Sequence, residues 1–351
     1  LQSGAAALQS VGILSPLPRP QDSAMVDPSP STGPRASTLD RRRLLQLAGS
    51  LAASAFVPGC ATARRGAAMP PIGMNMLLWT DQVEPRHFPV FEVLRAAGFA
   101  GVEIPVGQGD AAGYRRIGEA VRAAGLRCTA VTTTTPEANP VDPDPTVRAR
   151  AAERMRWAID MCDALGAEVL CGPFHSAFKT FSGRGPTADE MRWSADVMAD
   201  AADHAQPQGL VLATEFLNRF ECYLLNTAAD TLRLVQMVDR SNFGMTYDTH
   251  HAHIEVKDPA AAIAACGPAI RHVHVSENDR GAPGSGQVRF EPTFAALHEI
   301  GYDRWLTIES FSRSSPEFAA AIHIWRDFFE DPDEVWRDGI RFIRDTWAAT
   351  A

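Results

Sequence analysis

The 351-residue chain reads as a (β/α)8 barrel, an α/β fold in which eight parallel strands close inside a ring of helices, and three observations carry that reading. Short runs rich in Val, Ile and Leu alternate eight times with longer stretches of helical periodicity, the pattern of repeated strand–helix units. Gly98, Gly125, Gly166, Gly209 and Gly301 stand just before such runs, where a helix ends in a left-handed turn. No Gly-x-Gly-x-x-Gly follows the first run, so a doubly wound dinucleotide-binding sheet lacks its signature.

In order, the strands are expected at 72–79, 99–104, 127–134, 168–173, 210–215, 243–248, 271–275 and 305–309. Residues 151–165 place Met155, Ile159 and Met161–Cys162 near helical spacing between the third and fourth. The Pro-rich stretch 135–145 reads as a loop partly covering one end of the barrel. A single barrel domain is expected over 67–351.

What precedes it differs in kind. Residues 1–36 are rich in Pro, Ser, Gly and Ala without apolar periodicity, the composition of a disordered extension. Residues 37–66 contain Arg41-Arg42-Arg43-Leu44-Leu45 followed by an uncharged run of small and apolar residues from Leu47 to Ala63, the layout of a twin-arginine export signal. Ala61-Thr62-Ala63 offers a cleavage site and Cys60 a competing lipoprotein anchor; soluble release into the periplasm is the preferred reading, with no stable membrane insertion after processing. None of the six cysteines forms a Cys-x-x-Cys pair, so buried free thiols are expected.

The formal charge of −9 divides into +4 for residues 1–66 and −13 for the remainder. An acidic barrel has no general field for phosphate backbones, which disfavours nucleic acid as a partner.

The candidate chemistry lies at the ends of strands five to eight, in Glu215, Asp248, His274 and Glu309. These are 33, 26 and 35 residues apart, each near one strand–helix period. Strand ends converge on one mouth, where three carboxylates repel one another unless a cation joins them. Three oxygen donors and one imidazole suit Mn²⁺, Mg²⁺ or Co²⁺ better than a thiolate zinc site. His272 is read as a structural histidine on the opposite face of strand seven from His274. His175 is placed either at the mouth or in the packing, and Glu103 either against a substrate or in an ion pair. Trp79, Phe174 and Phe220 are read as apolar walls or core.

Three segments, Thr214-Glu215-Phe216-Leu217-Asn218-Arg219-Phe220-Glu221, Tyr247-Asp248-Thr249-His250-His251 and His272-Val273-His274-Val275-Ser276-Glu277-Asn278-Asp279-Arg280, resemble the xylose isomerase-like barrels. Within these, the resemblance is to the D-tagatose and D-allulose 3-epimerases, and it runs from Ile72-Gly73-Met74-Asn75 to Ile324-Trp325-Arg326-Asp327. The chain departs from the usual pattern at Phe216, His250 and His253.

The resemblance implies that Glu215, Asp248, His274 and Glu309 bind one divalent metal ion, Mn²⁺ foremost. It makes Glu215 and Glu309 the acid–base pair and assigns Glu221, His251 and Arg280 to the O1–O2 end of a ketose. It further implies epimerisation of free ketoses at C3 through a cis-enediolate, and a homodimer or homotetramer. Aldose–ketose isomerisation, a lyase or dehydratase acting on a keto-sugar or 3-keto-glycoside, and a non-catalytic sugar-binding barrel remain open alternatives.

Overall fold

The computed structural model of the chain describes residues 68–351, and the expected extension, export signal and Cys60 anchor lie outside the described residues. All eight strands form: β1 (Ile72–Asn75), β2 (Gly101–Pro105), β3 (Arg127–Val131), β4 (Val169–Gly172), β5 (Val211–Glu215), β6 (Phe243–Asp248), β7 (Ile270–Val275) and β8 (Leu306–Ile308). Each pairs in parallel with the next, and β8 pairs with β1 to close the barrel.

Two strands end earlier than their apolar runs suggest. In β1 the side chain of Asn75 accepts a hydrogen bond from the Leu77 N–H at 2.9 Å and turns Met76–Leu78 into a 3₁₀ helix. Past β3, Thr134 keeps only an isolated bridge to Ala177.

The outer ring consists of α1 (Pro89–Ala97), α2 (Ala111–Ala123), α3 (Pro145–Leu165), α4 (Ala188–Ala205), α5 (Ala228–Val238), then α7 (Pro259–Cys266), α8 (Phe290–Glu299) and α10 (Pro332–Ala349). Two short helices are added beyond strand ends, α6 (Thr249–Glu255) after β6 and α9 (Pro316–Ala321) after β8. Helix starts follow from capping side chains: Asp110, Asp144, Thr187, Thr227, Asp258 and Asp331 each accept from a backbone N–H of the first turn, an arrangement worth about 1 kcal/mol apiece. At the other end, Gly166 closes α3 at φ 78°, the left-handed conformation that glycine adopts without a Cβ clash.

Alternation along the strands separates two environments. Met74, Val102, Ile104, Leu170, Leu212, Met245, Val273 and Ile308 are buried in the main apolar cluster. Val131, Val169, Cys171, Ala213 and Trp305 form a separate small cluster. A Cβ on Gly101 would stand 2.5 Å from the Trp305 ring and 2.6 Å from the Arg127 carbonyl, so only glycine lets β2 pass there. Asn75, Glu103, Thr129, His274 and Glu309 are also buried and join one another by hydrogen bonds and ion pairs. The five described cysteines are buried and free, and among the described residues no helix is long and apolar enough to cross a membrane.

Candidate active site

Each of the four predicted metal-type residues is placed by its strand. Glu215 is the last residue of β5, Asp248 of β6, His274 the penultimate residue of β7, and Glu309 follows β8 directly. All four are buried, and one potential ligand atom from each lies within 4.8 Å of the others. His274 Nδ1 stands 3.0 Å from Glu215 Oε1 and 3.5 Å from Glu309 Oε2. One oxygen of Asp248 caps α6 by accepting from the His250 N–H at 2.6 Å, and the other takes Arg280 Nη1 at 2.8 Å. A register shift in the β6–β7 pairing falls between Met245 and Thr246, just before Asp248.

The field of this cluster demands positive charge. Burial pushes the Glu309 carboxyl up to about 8, with Glu215 and Asp248 adding to the rise while His274 and Arg280 oppose it. Burial raises Glu215 as well. Burial works to raise Asp248 too, but Arg280 and the neighbouring histidines reverse it and hold the carboxyl well below its ordinary range. The His274 ring moves well above its ordinary value: burial lowers it, and Glu309, Glu215 and Glu103 more than compensate. Three carboxylates and one imidazole, converging and starved of water, fit a hard divalent cation by donor chemistry as well as by charge.

Arg280 closes the site on one side. Its guanidinium spans Asp248 Oδ2 and Glu309 Oε2, both at 2.8 Å, lies over the Phe311 ring at 4.7 Å, and brings Nη2 within 3.0 Å of His251 Nε2. Its backbone has φ 63°, a left-handed conformation unusual for a side-chain-bearing residue and one that surrounding structure must hold in place. His251, buried on α6, takes a hydrogen bond on Nδ1 from the Asn218 N–H at 3.1 Å. Glu221 lies 4.0 Å from His251, and burial raises its carboxyl above the ordinary range. A cavity of about 390 Å³ unites Glu215, Glu221, His251, Arg280 and Glu309, so the expected acid–base pair and sugar contacts share one space, while Asp248 and His274 do not line it.

Beneath the cluster lies a support that the sequence left ambiguous. Glu103 accepts from Asn75 Nδ2 and Thr129 Oγ1, both at 2.9 Å, and sits 3.0 Å from His274 Nε2. It thereby fixes the rotation of the His274 ring that presents Nδ1 to the cluster, as a carboxylate behind a ligating histidine does. The ion-pair reading of Glu103 holds, and no part of it lines the cavity. The placement of His272 on the opposite face from His274 is corrected: residues two apart on a strand share a face, and His272 Nε2 stands 2.9 Å from the other Glu103 oxygen. Cys171 completes this lower group, its thiol donating to Glu103 at 3.2 Å.

Other expectations resolve differently. His175 is fully buried and outside the cavity; burial holds its ring down to about 3. Phe174 belongs to the core, Trp79 is half-buried against it, and Phe220 is exposed. The aromatic walls are instead Phe178, after β4, and Phe311 and Phe318, after β8. Of the departures, Phe216 packs edge-on against Tyr247 in the core. His250 turns its Nδ1 to the Glu277 carbonyl at 3.1 Å and its ring edge to His251.

Comparison with known proteins identifies relatives of the whole barrel. The ketose 3-epimerase of Arthrobacter globiformis is 32% identical over 281 residues, covering 79% of this chain and 97% of that protein. An L-ribulose 3-epimerase of a Methylomonas species is 34% identical over 204 residues, covering 57% and 71% respectively. The crystal structure of a D-allulose 3-epimerase from Methylomonas in complex with D-allulose superposes with a TM-score of 0.73 at 27% identity, covering 79% of this chain and 97% of that one. The family model for xylose isomerase-like TIM barrels matches residues 91–346. The chain therefore belongs to the xylose isomerase-like TIM barrel family.

Proposed function

We propose that the protein is a metal-dependent ketose 3-epimerase. The observation that carries this reading is the placing of Glu215 and Glu309, two buried carboxylates from β5 and β8, in one cavity with His251 and Arg280. Epimerisation beside a carbonyl requires a weakly acidic C–H proton to leave on one face and another to arrive on the opposite face. One of the two carboxylates takes the C3 proton, the other returns one, and the roles exchange with the configuration of the sugar. Burial raises both carboxyls in the metal-free cluster; a bound cation would draw them down, and each would keep a free lone pair for the proton work.

Glu215, Asp248, His274 and Glu309 would hold one divalent cation, with Mn²⁺ preferred and Co²⁺ or Mg²⁺ compatible with the same donors. When bound, it supplies Lewis-acid stabilisation of the negative charge developing on the sugar oxygens of a cis-enediolate. Arg280 and His251 orient the carbonyl end, Arg280 through a planar donor fork already anchored on two carboxylates, and Glu221 accepts from a terminal hydroxyl. The relatives named as ketose and L-ribulose 3-epimerases support this choice of reaction. The twin-arginine pattern at Arg41–Arg43 supports export to the periplasm as the protein's route.

The test is incubation of the metal-loaded protein in D₂O with free ketoses, aldoses and a 3-keto-glycoside, followed by NMR. Deuterium at C3 with inverted configuration is expected. An aldose product, loss of an aglycone, or no exchange would overturn the epimerase in favour of an isomerase, a lyase or a binding protein, respectively.

A further inference from the structure

The cavity has a second basic residue that the chemistry above does not use. Arg154 rises from α3 and lines the same space as Glu215 and Glu309. Its setting differs from that of Arg280. Where Arg280 is locked between Asp248 and Glu309, the guanidinium of Arg154 has no carboxylate within 4.0 Å among the described residues. Its one hydrogen bond runs from Nη2 to the Val106 carbonyl at 3.3 Å, and its Nε is buried without a partner. The side chain is held by stacking over the Trp157 ring at 4.2 Å, so it is positioned without being neutralised. Asp81, the lining acid outside the reaction cluster, is occupied by a hydrogen bond from Ser315.

The direction of the cavity gives this cation a meaning. The reacting groups stand on the β5–β8 side of the mouth, whereas Arg154 meets the chain just past β2, beside Thr132 and Thr133 beyond β3. The cavity that holds Arg280, His251 and Glu221 continues to this side, so a ketose held by them at C1–C3 would have room to place its other end near Arg154. An unpaired, partly desolvated guanidinium is costly unless a ligand completes it, and its planar fork matches phosphate or carboxylate oxygens.

Resting on the ketose reading above, we propose that Arg154 recognises an anionic group, a phosphate ester or a carboxylate, at the end of the ketose remote from its reacting carbonyl. The preferred substrate class is then an anionic ketose rather than a neutral one.

The experiment compares a ketohexose 6-phosphate, a ketohexose oxidised to the carboxylate at C6, and the neutral ketohexose. For each, kcat/KM for C3 epimerisation by the metal-loaded enzyme and Kd by calorimetry are measured. At least one anionic sugar is expected to be favoured about 10- to 100-fold, the range of charge-assisted hydrogen bonding, and which one wins identifies the anion. Arg154→Met should bring the anionic-to-neutral ratio close to one, while Arg154→Lys, keeping the charge without the fork, should retain part of it. A neutral ketose used and bound as well as both anionic ones overturns the proposal. So does an Arg154→Met variant that weakens all three sugars equally, since that marks a packing residue. If no sugar exchanges its C3 proton, the epimerase reading fails by itself. The calorimetric ratio then still decides Arg154: tighter anionic binding lost in Arg154→Met supports it, and equal binding overturns it.

Discussion

The two halves of the barrel hold the same kinds of buried residue for different work. The β5–β8 half ends in Glu215, Asp248, His274 and Glu309, whose atoms converge within 4.8 Å, and Glu215 and Glu309 open into a cavity with Arg280 and His251. The β1–β4 half contributes Asn75, Glu103, Thr129 and Cys171, buried and tied to one another and to the back of His274. In the first half Glu309 and Glu215 are frustrated, because burial and like charges oppose their ionisation, while Asp248 is held down by Arg280 and the neighbouring histidines. In the second half Glu103 is pulled well below its ordinary range: burial works against that, but His274 and His272 and the aligned hydrogen bonds outweigh it. Frustration is what a site needs to bind a cation and move a proton; satisfaction is what a support needs to hold a ring still.

This contrast can be broken by substitution. Asp248→Asn removes a ligand from the frustrated half and should lower Mn²⁺ affinity more than 100-fold, measured by titration into metal-free protein. Glu103→Gln weakens only the support and should cost about 10- to 100-fold in the same measurement. Equal losses from both would mean that the halves do not divide into ligand and support. Removing the cation should also register in stability: chelation of protein saturated at about 100 times its Kd should cost about 2.7 kcal/mol in urea unfolding, and an unchanged midpoint would argue against a metal held by the folded cluster.

A smaller effect belongs to His175, buried outside both groups. Its ring is held down to about 3 against an ordinary 6.5, so between these values the unfolded chain binds a proton that the folded chain refuses. Stability is therefore full above pH 6.5 and is lost as pH falls toward 3, at up to about 1.4 kcal/mol per pH unit. His175→Asn should flatten the slope of unfolding free energy between pH 6.5 and 5; an unchanged slope would show that His175 takes up its proton in the folded state.

The sequence made one half of the barrel far more legible than the other. Eight strands follow from apolar runs and the turns between them, and strand-end acids such as Glu215 and Asp248 stand out because nothing apolar explains them. Glu103 carried the same signal, but its partner could not be chosen until β7 was placed across the barrel. Strand parity alone sets His272 on the face of His274, so the expected opposite placement fails without any need of tertiary information. The walls were illegible for a physical reason: Phe311 and Phe318 lie on the chain beyond β8, whose path no local periodicity sets. Arg154 was hidden differently. It lies on a helix, where position in the chain suggests a surface side chain, and only its packing over Trp157 carries the guanidinium to the mouth.

The central claim is that Glu215 and Glu309 move the proton at C3 within a site assembled by β5–β8. Its most direct test is Glu309→Gln, loaded with Mn²⁺ and incubated with a ketose substrate in D₂O. Sugar binding by calorimetry should persist while turnover, with inversion at C3, falls by about 10² to 10⁴-fold. Inversion and C3 deuteration at the wild-type rate in this variant would contradict the two-carboxylate account.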